Sequence, residues 1–190
     1  YAGKLSNAKG VPWFLRALRL IKFPPWQLHL VGSGSGEEKE QCLRLAAELG
    51  TRVHVHGALS QEDLAKIFRQ CHILALPSFF EGLPLVILEG LASGCRVLAT
   101  DLPGTKEIIG NSIAEFITLV PAPRLRYIDQ PYEEDEFLFE QNLRKGLQQQ
   151  IDAASKCAQI DSSPIQDKLN AYTWTGIFKK VVEVYLKCNI

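Results

Sequence analysis

Through the first part of the chain, short runs of apolar residues alternate with longer stretches in which apolar residues recur every three or four positions. Short apolar runs bounded by turn formers predict strands buried on both faces, and the longer amphipathic stretches predict helices laid across them. The predicted strands are 1–3, 27–31, 52–56, 72–76, 96–100 and 115–119, and the predicted helices are 10–20, 37–49, 61–69, 84–92 and 105–109. That rhythm of βα units describes an α/β, Rossmann-like three-layer sandwich around a parallel sheet of about six strands. The element ends carry matching chemistry. Ser60 followed by Asp63 resembles a shortened capping box, Gly50 and Gly94 suit left-handed helix termini, and Pro84 fits a first helical turn, where its missing N–H costs nothing.

Beyond Leu119 the texture changes. Pro121, Pro123 and Pro131 mark an extended surface crossing, and Glu133-Glu134-Asp135-Glu136 opens a helix running to residue 150, its acidic start favourable at the positive end of the helix dipole. Asp161-Ser162-Ser163-Pro164 is a loop signal. A last amphipathic helix covers 172–188, with Trp174, Ile177, Phe178, Val181, Val182 and Tyr185 at helical spacing. The whole of 1–190 reads as one domain, and the apolar face of the last helix reads as surface meant for another.

Composition narrows the function. The 190 residues are 46% hydrophobic and 22% charged, with Lys plus Arg equal to Asp plus Glu at 21 each. This is ordinary globular composition, and no charge excess points to nucleic acid or an anionic membrane, so any anion site must be local. The 5 cysteines are scattered without a C-x-x-C pair, which supports neither zinc nor a disulfide framework. No apolar run approaches the roughly 18 residues of a spanning helix, and no signal segment opens the chain. A cytoplasmic protein is the simplest reading. Tyr1 enters a structural element at once with no initiator methionine, so the chain reads as a fragment.

Three places could carry chemistry. Gly32-Ser33-Gly34-Ser35-Gly36 lies between a strand and a helix, where it serves either as a tight βα turn or as a backbone cradle for an anion. Lys4 and Lys9 bracket the turn after the first strand, at the end of an open parallel sheet where ligands bind; they suit a diphosphate or are simply solvated. Glu81 precedes Gly82, whose missing side chain opens an approach, and Pro84 sets a helix start at which the N–H groups of Leu85 and Val86 are free for an anion. Glu89 falls in the second turn among Val86, Ile87, Leu88 and Leu91, so a charge there needs either a basic partner or a vicinal diol such as a ribose. His54 and His56 share one face of a strand, with no third ligand at metal spacing.

Together these motifs resemble the C-terminal domain of retaining GT-B glycosyltransferases, whose E-x7-E glutamates match Glu81 and Glu89. The resemblance runs through Gly3-Lys4-Leu5-Ser6, Lys9-Gly10, Leu30-Val31-Gly32-Ser33-Gly34, Leu76-Pro77-Ser78 and Glu89-Gly90-Leu91-Ala92-Ser93-Gly94 to Ile109, and resumes from Tyr172 to Tyr185. It implies a nucleoside-diphosphate sugar, UDP- or GDP-linked, across the carboxyl ends of the strands. Lys4 and Lys9 would then face the diphosphate, Glu81 the sugar hydroxyls and Glu89 the ribose. Leu85 and Val86 would offer N–H groups to a phosphate beside Gly82 and Leu83, with Gly32 lining the cleft and the base near Gly57-Ala58-Leu59.

The implied enzyme is a metal-independent hexosyltransferase with no cofactor, acting on a sugar, lipid or small-molecule acceptor held by an N-terminal domain absent from this chain, and located in the cytoplasm or at the inner membrane face. The isolated fragment would then be inactive. The chain departs from the family at Lys4, where arginine is common, at Ser33, often aspartate, at Leu102-Pro103-Gly104 in place of a Gly-Gly turn, and after Ile109, where Asp-Gly-x-x-Gly is missing. A GT-B epimerase or hydrolase, a non-catalytic nucleotide-sugar module and a flavodoxin-like domain are the rival readings.

Overall fold

A computed structural model describes residues 1–109, 114–161, 163 and 166–188. In chain order the first elements are α1 (Val11–Arg19), β1 (Leu28–Val31), α2 (Gly36–Glu48), β2 (Val53–Gly57), α3 (Gln61–Gln70), β3 (Ile73–Leu76), α4 (Leu85–Ala92), β4 (Arg96–Thr100), α5 (Pro103–Ile109) and β5 (Ile117–Val120). There follow β6 (Leu125–Tyr127), β7 (Gln130–Pro131), α6 (Glu133–Lys156), α7 (Gln166–Ala171) and α8 (Trp174–Cys188). The described residues form two compact units, Tyr1–Ile160 and Asp161–Ile190.

The first unit is the expected α/β layering. β1 pairs with β2, and β3 with β4 and β4 with β5, all parallel. The first segment contributes less than a full strand: Ala2 bridges Val31, the Val31 N–H donates to Tyr1 O (2.9 Å), and the Gly3 N–H donates to Val31 O (3.0 Å). It lies only against the carboxyl end of β1 before the chain turns at Ser6.

α1 is buried along most of its length, with Val11, Trp13, Phe14, Leu15, Ala17 and Leu18 in the core between α2 and α6. α6 lays Phe139, Leu143 and Leu147 against the same core. Removing such side chains from water is the main favourable term holding the layers together. Arg16, on the margin of α1, reaches Glu140 of α6 with its Nε 2.5 Å from the carboxylate.

The caps behave as their chemistry requires. Ser60 Oγ accepts the Asp63 N–H (3.1 Å) and donates to Asp63 Oδ2 (2.8 Å). Gly50 and Gly94 take φ of 64° and 89°, conformations that favour glycine. Two expectations change. Residues 125–131 form a short antiparallel hairpin, β6 with β7, within what reads as a plain crossing, and α6 continues to Lys156 instead of stopping at 150. The hairpin is fastened by Arg124, whose guanidinium donates to both oxygens of Asp135 (2.7 and 2.9 Å) in a bidentate fork.

In the second unit, Thr173 Oγ1 donates to Asn170 O (2.7 Å) and accepts the Gly176 N–H (3.2 Å) at the start of α8. Trp174, Phe178 and Tyr185 of α8 are exposed, Trp174 by 77%. In the 161–164 loop, residues 162 and 164 lie outside the described residues, while the Ser163 N–H donates to Asp161 Oδ1 (2.9 Å). Among the described residues, no helix is long and apolar enough to cross a membrane, and all five cysteines are free thiols.

Candidate active site at the carboxyl ends of the strands

Two loops meet at the carboxyl end of β3. The turn leading into α1 lies against the loop leaving β3: the Phe79 N–H donates to Ala8 O (2.9 Å), and Gly10, at φ 65°, backs onto Pro77 so closely that a Cβ would lie 1.9 Å from its carbonyl oxygen. Only glycine tolerates both that φ and that contact. The Asn7 N–H reaches Glu38 Oε1 of α2 (3.3 Å), which ties the same turn to the start of the next helix.

This backbone arrangement brings Lys9 and Glu81 together. Lys9 Nζ lies 2.7 Å from Glu81 Oε1, with the Glu81 side chain 12% exposed and that of Lys9 30%. The distance is that of a charge-assisted hydrogen bond. The two residues, expected to face different parts of a ligand, face each other. Gly104, at the start of α5, supports the Glu81-Gly82 backbone from beneath, so Leu102-Pro103-Gly104 keeps a glycine where close approach requires one.

The helix start after Glu81 differs from expectation. Pro84 stands at the N-cap of α4 with φ −76° and ψ 79°, the inverse γ-turn conformation, and the Leu85 N–H donates to Leu83 O (2.9 Å). Leu85 therefore offers no free N–H here, whereas the Val86 N–H, one position further into the first turn, remains open to a ligand. Glu89 is exposed rather than enclosed, because the 3.6-residue period sets it in line with exposed Leu85 and Ala92, while Ile87, Leu88 and Leu91 turn inward. It needs no basic partner.

At the carboxyl end of β1, Gly32 takes φ 130°, its N–H donates to Gly57 O (2.8 Å), and a Cβ on it would lie 1.8 Å from Gly3 O. Gly34 similarly backs onto Leu5 O, and the Leu5 N–H donates to Ser33 O (2.9 Å). The tight βα turn thus accounts for Gly32 and Gly34 by themselves. Gly57 ends β2 with Ala58 and Leu59 exposed beyond it. Lys4 is exposed, and its carbonyl accepts the Tyr1 hydroxyl (2.7 Å). The loop after Ile109 lies outside the described residues.

Other polar groups gather at the same edge without a sequence signal to mark them. Ser78 after β3, Thr100 at the end of β4 and Thr105 in α5 are buried, and none of their hydroxyls has a partner. His54 and His56 are joined by His29 of β1: the rings stack at 5.2 and 5.1 Å from His29, and His29 Nδ1 lies 2.9 Å from His56 Nε2. Burial, then His56 and His54, holds the His29 pKa below its ordinary value. Rings stacked at interplanar angles of 27° and 15° do not converge on one point, and among the described residues no group of three or more His, Cys, Asp or Glu is arranged to hold a metal. A cavity of about 920 Å³ lies at the opposite, amino ends of the strands, lined in part by Leu28, Arg52, His72 and Ile73.

Known proteins share the family and the fold. Residues 1–123 match the family described as glycosyl transferases group 1. Among curated relatives, an uncharacterized glycosyltransferase of Haemophilus influenzae is 34% identical over 110 residues, 56% of this chain and 31% of its own length. Another, from Methanocaldococcus jannaschii, is 24% identical over 187 residues, 97% of this chain and 43% of its own. The chain thus spans less than half the length of these relatives. Among solved structures, Anabaena HepE in complex with UDP and glucose superposes with a TM-score of 0.70 at 23% identity, over 98% of this chain and 47% of that one. Sucrose-phosphate synthase from Thermosynechococcus elongatus gives 0.73 at 21% identity, over 98% and 44%. Those likenesses establish a Rossmann-like fold of GT-B type, and with the family match over more than half of its length, this chain belongs to the glycosyl transferases group 1.

Proposed function

We propose that this chain is the donor-binding domain of a retaining glycosyltransferase, taking a UDP- or GDP-linked sugar across the carboxyl ends of β1 to β5. The observation that carries this reading is the Lys9–Glu81 pair, a cation and a carboxylate 2.7 Å apart between the α1 turn and the β3 loop. The family match and the UDP and glucose held by HepE support it. Lys9, with Lys4 nearby in sequence, serves the diphosphate. Glu81 serves the sugar hydroxyls and exposed Glu89 the ribose. With the Leu85 N–H committed to Leu83, phosphate donation at the start of α4 passes to Val86.

Cleaving the bond between the anomeric carbon and the diphosphate builds positive charge on the sugar and negative charge on the leaving group, so the site's chief task is to stabilise that anion. Lys9 and the start of α4 do this. The leaving phosphate accepts the acceptor's proton on the same face of the sugar, which retains configuration and leaves Glu81 as a positioning group. The chain has no Asp-x-Asp pair, and lysine and helix dipole take the place of a divalent cation. A further N-terminal domain supplies the acceptor site and covers the apolar face of α8, and by itself the present chain binds donor without transferring it. The longer enzyme works in the cytoplasm or at the inner membrane face.

In the longer enzyme, Lys9→Ala removes one anion-stabilising donor, which raises the barrier by about 3 kcal/mol and lowers turnover by about a hundredfold or more. Full turnover by that variant refutes the assignment. Activity lost to a chelator and restored by manganese refutes the metal-independent mechanism.

A further inference from the structure

The two loops that carry Lys9 and Glu81 are held by their backbones. Phe79 bonds to Ala8, Gly10 backs onto Pro77, and Gly104 supports Gly82 from the other side. Neither loop needs the ion pair to keep its place, so the pair can open without moving the site. Its two members are also the groups that a sugar diphosphate would separate, since a phosphate oxygen competes with Glu81 for the Lys9 ammonium.

The consequence differs between ligands. A free nucleoside diphosphate that takes Lys9 leaves the Glu81 carboxylate without its cation, 12% exposed and facing the negative terminal phosphate. An unpaired carboxylate so enclosed, and a like charge beside it, both oppose binding. An intact sugar diphosphate places hydroxyl donors where the cation had been, and the carboxylate exchanges one partner for another.

We propose that the Lys9–Glu81 pair is a latch that makes the site favour an intact sugar diphosphate over the free nucleoside diphosphate. Glu81 acts in this by holding Lys9 until a sugar replaces it, which also favours release of the spent diphosphate after transfer. The inference rests on the donor-site reading above and adds the selection between substrate and product to it.

The test is calorimetric titration of the 190-residue chain and its Glu81→Gln, Lys9→Met and doubly substituted variants with UDP, GDP and ADP, each also as its glucose, galactose and N-acetylglucosamine ester. Backbone NMR spectra establish that each variant is folded. The latch predicts that Glu81→Gln tightens the free diphosphate on the order of tenfold, about 1.4 kcal/mol, does not tighten the best sugar ester, and gives less than half that free-energy gain when Lys9 is already Met. An unchanged or weakened diphosphate affinity in Glu81→Gln overturns the latch while the donor reading stands on the wild-type binding. Equal gains in both backgrounds reduce the effect to plain repulsion and also overturn it. If the wild type binds none of these ligands, the donor reading falls and the latch with it.

Discussion

Gly104 faces Gly82 so closely that a Cβ added to Gly104 would lie 1.8 Å from the Gly82 carbonyl oxygen and 2.9 Å from that of Glu81. Both atoms are backbone, so no side chain can swing aside, and a methyl group there must push the Glu81 loop outward. Gly104→Ala is therefore expected to weaken donor binding by about tenfold or more, with an overpacking cost of about 1–3 kcal/mol in stability. Titration alongside urea denaturation separates the two effects: a variant that binds like the wild type shows that the loop's position does not set the site.

Phe139 of α6 is 1% exposed, with its ring 5.4 Å from that of Phe79, which in turn meets Trp13 of α1 edge-on at 4.9 Å. This aromatic row joins two helices to the loop two residues before Glu81. Truncation by Phe139→Ala should cost about 3–5 kcal/mol, the range for a buried phenyl ring that leaves a cavity. The check is the midpoint of urea unfolding, and a loss under 1 kcal/mol shows that α6 is not part of the shared core.

The histidine stack makes stability depend on pH in one direction. With the His29 pKa depressed in the fold by burial and by His56 and His54, the unfolded chain binds the proton more readily. Stability is then fully present above the unfolded value of about 6.5 and is lost as pH falls from there toward the folded pKa. Denaturation at pH 5.5 and 7.5 should show a decline in the wild type that is smaller in His29→Asn. An identical decline in both proteins removes His29 from the account.

Some of this was legible along the chain, and particular residues show why. β4 falls at 96–100 as expected, because Val97 to Thr100 is an uninterrupted run buried on both faces. Ser60 and Asp63 cap α3 through contacts only three residues apart, within reach of local reasoning. Lys9 and Glu81 each stand out along the chain only as candidates, and their pairing depends on how two loops 72 residues apart come to rest, which no spacing encodes.

Glu89 misleads through its neighbours, since Val86, Ile87 and Leu88 adjoin it in sequence yet the helix turns it toward Leu85 and solvent. His29 joins His54 and His56 only through the pairing of β1 with β2, where His29 stands opposite His54. The β6–β7 hairpin has strands of 3 and 2 residues, too short for any period to register against the surrounding prolines.

Donor binding at the carboxyl ends of the strands is tested by an NMR titration of the 190-residue chain with UDP-, GDP- and ADP-sugars, following backbone amides. Saturable binding of at least one donor is expected, with shifts concentrated at Lys9, Gly57, Ala58, Gly82, Val86 and Glu89, and affinity reduced by about tenfold or more in Lys9→Ala. Saturable binding that shifts instead the residues lining the cavity at the amino ends of the strands, or that survives Lys9→Ala unchanged, would contradict it.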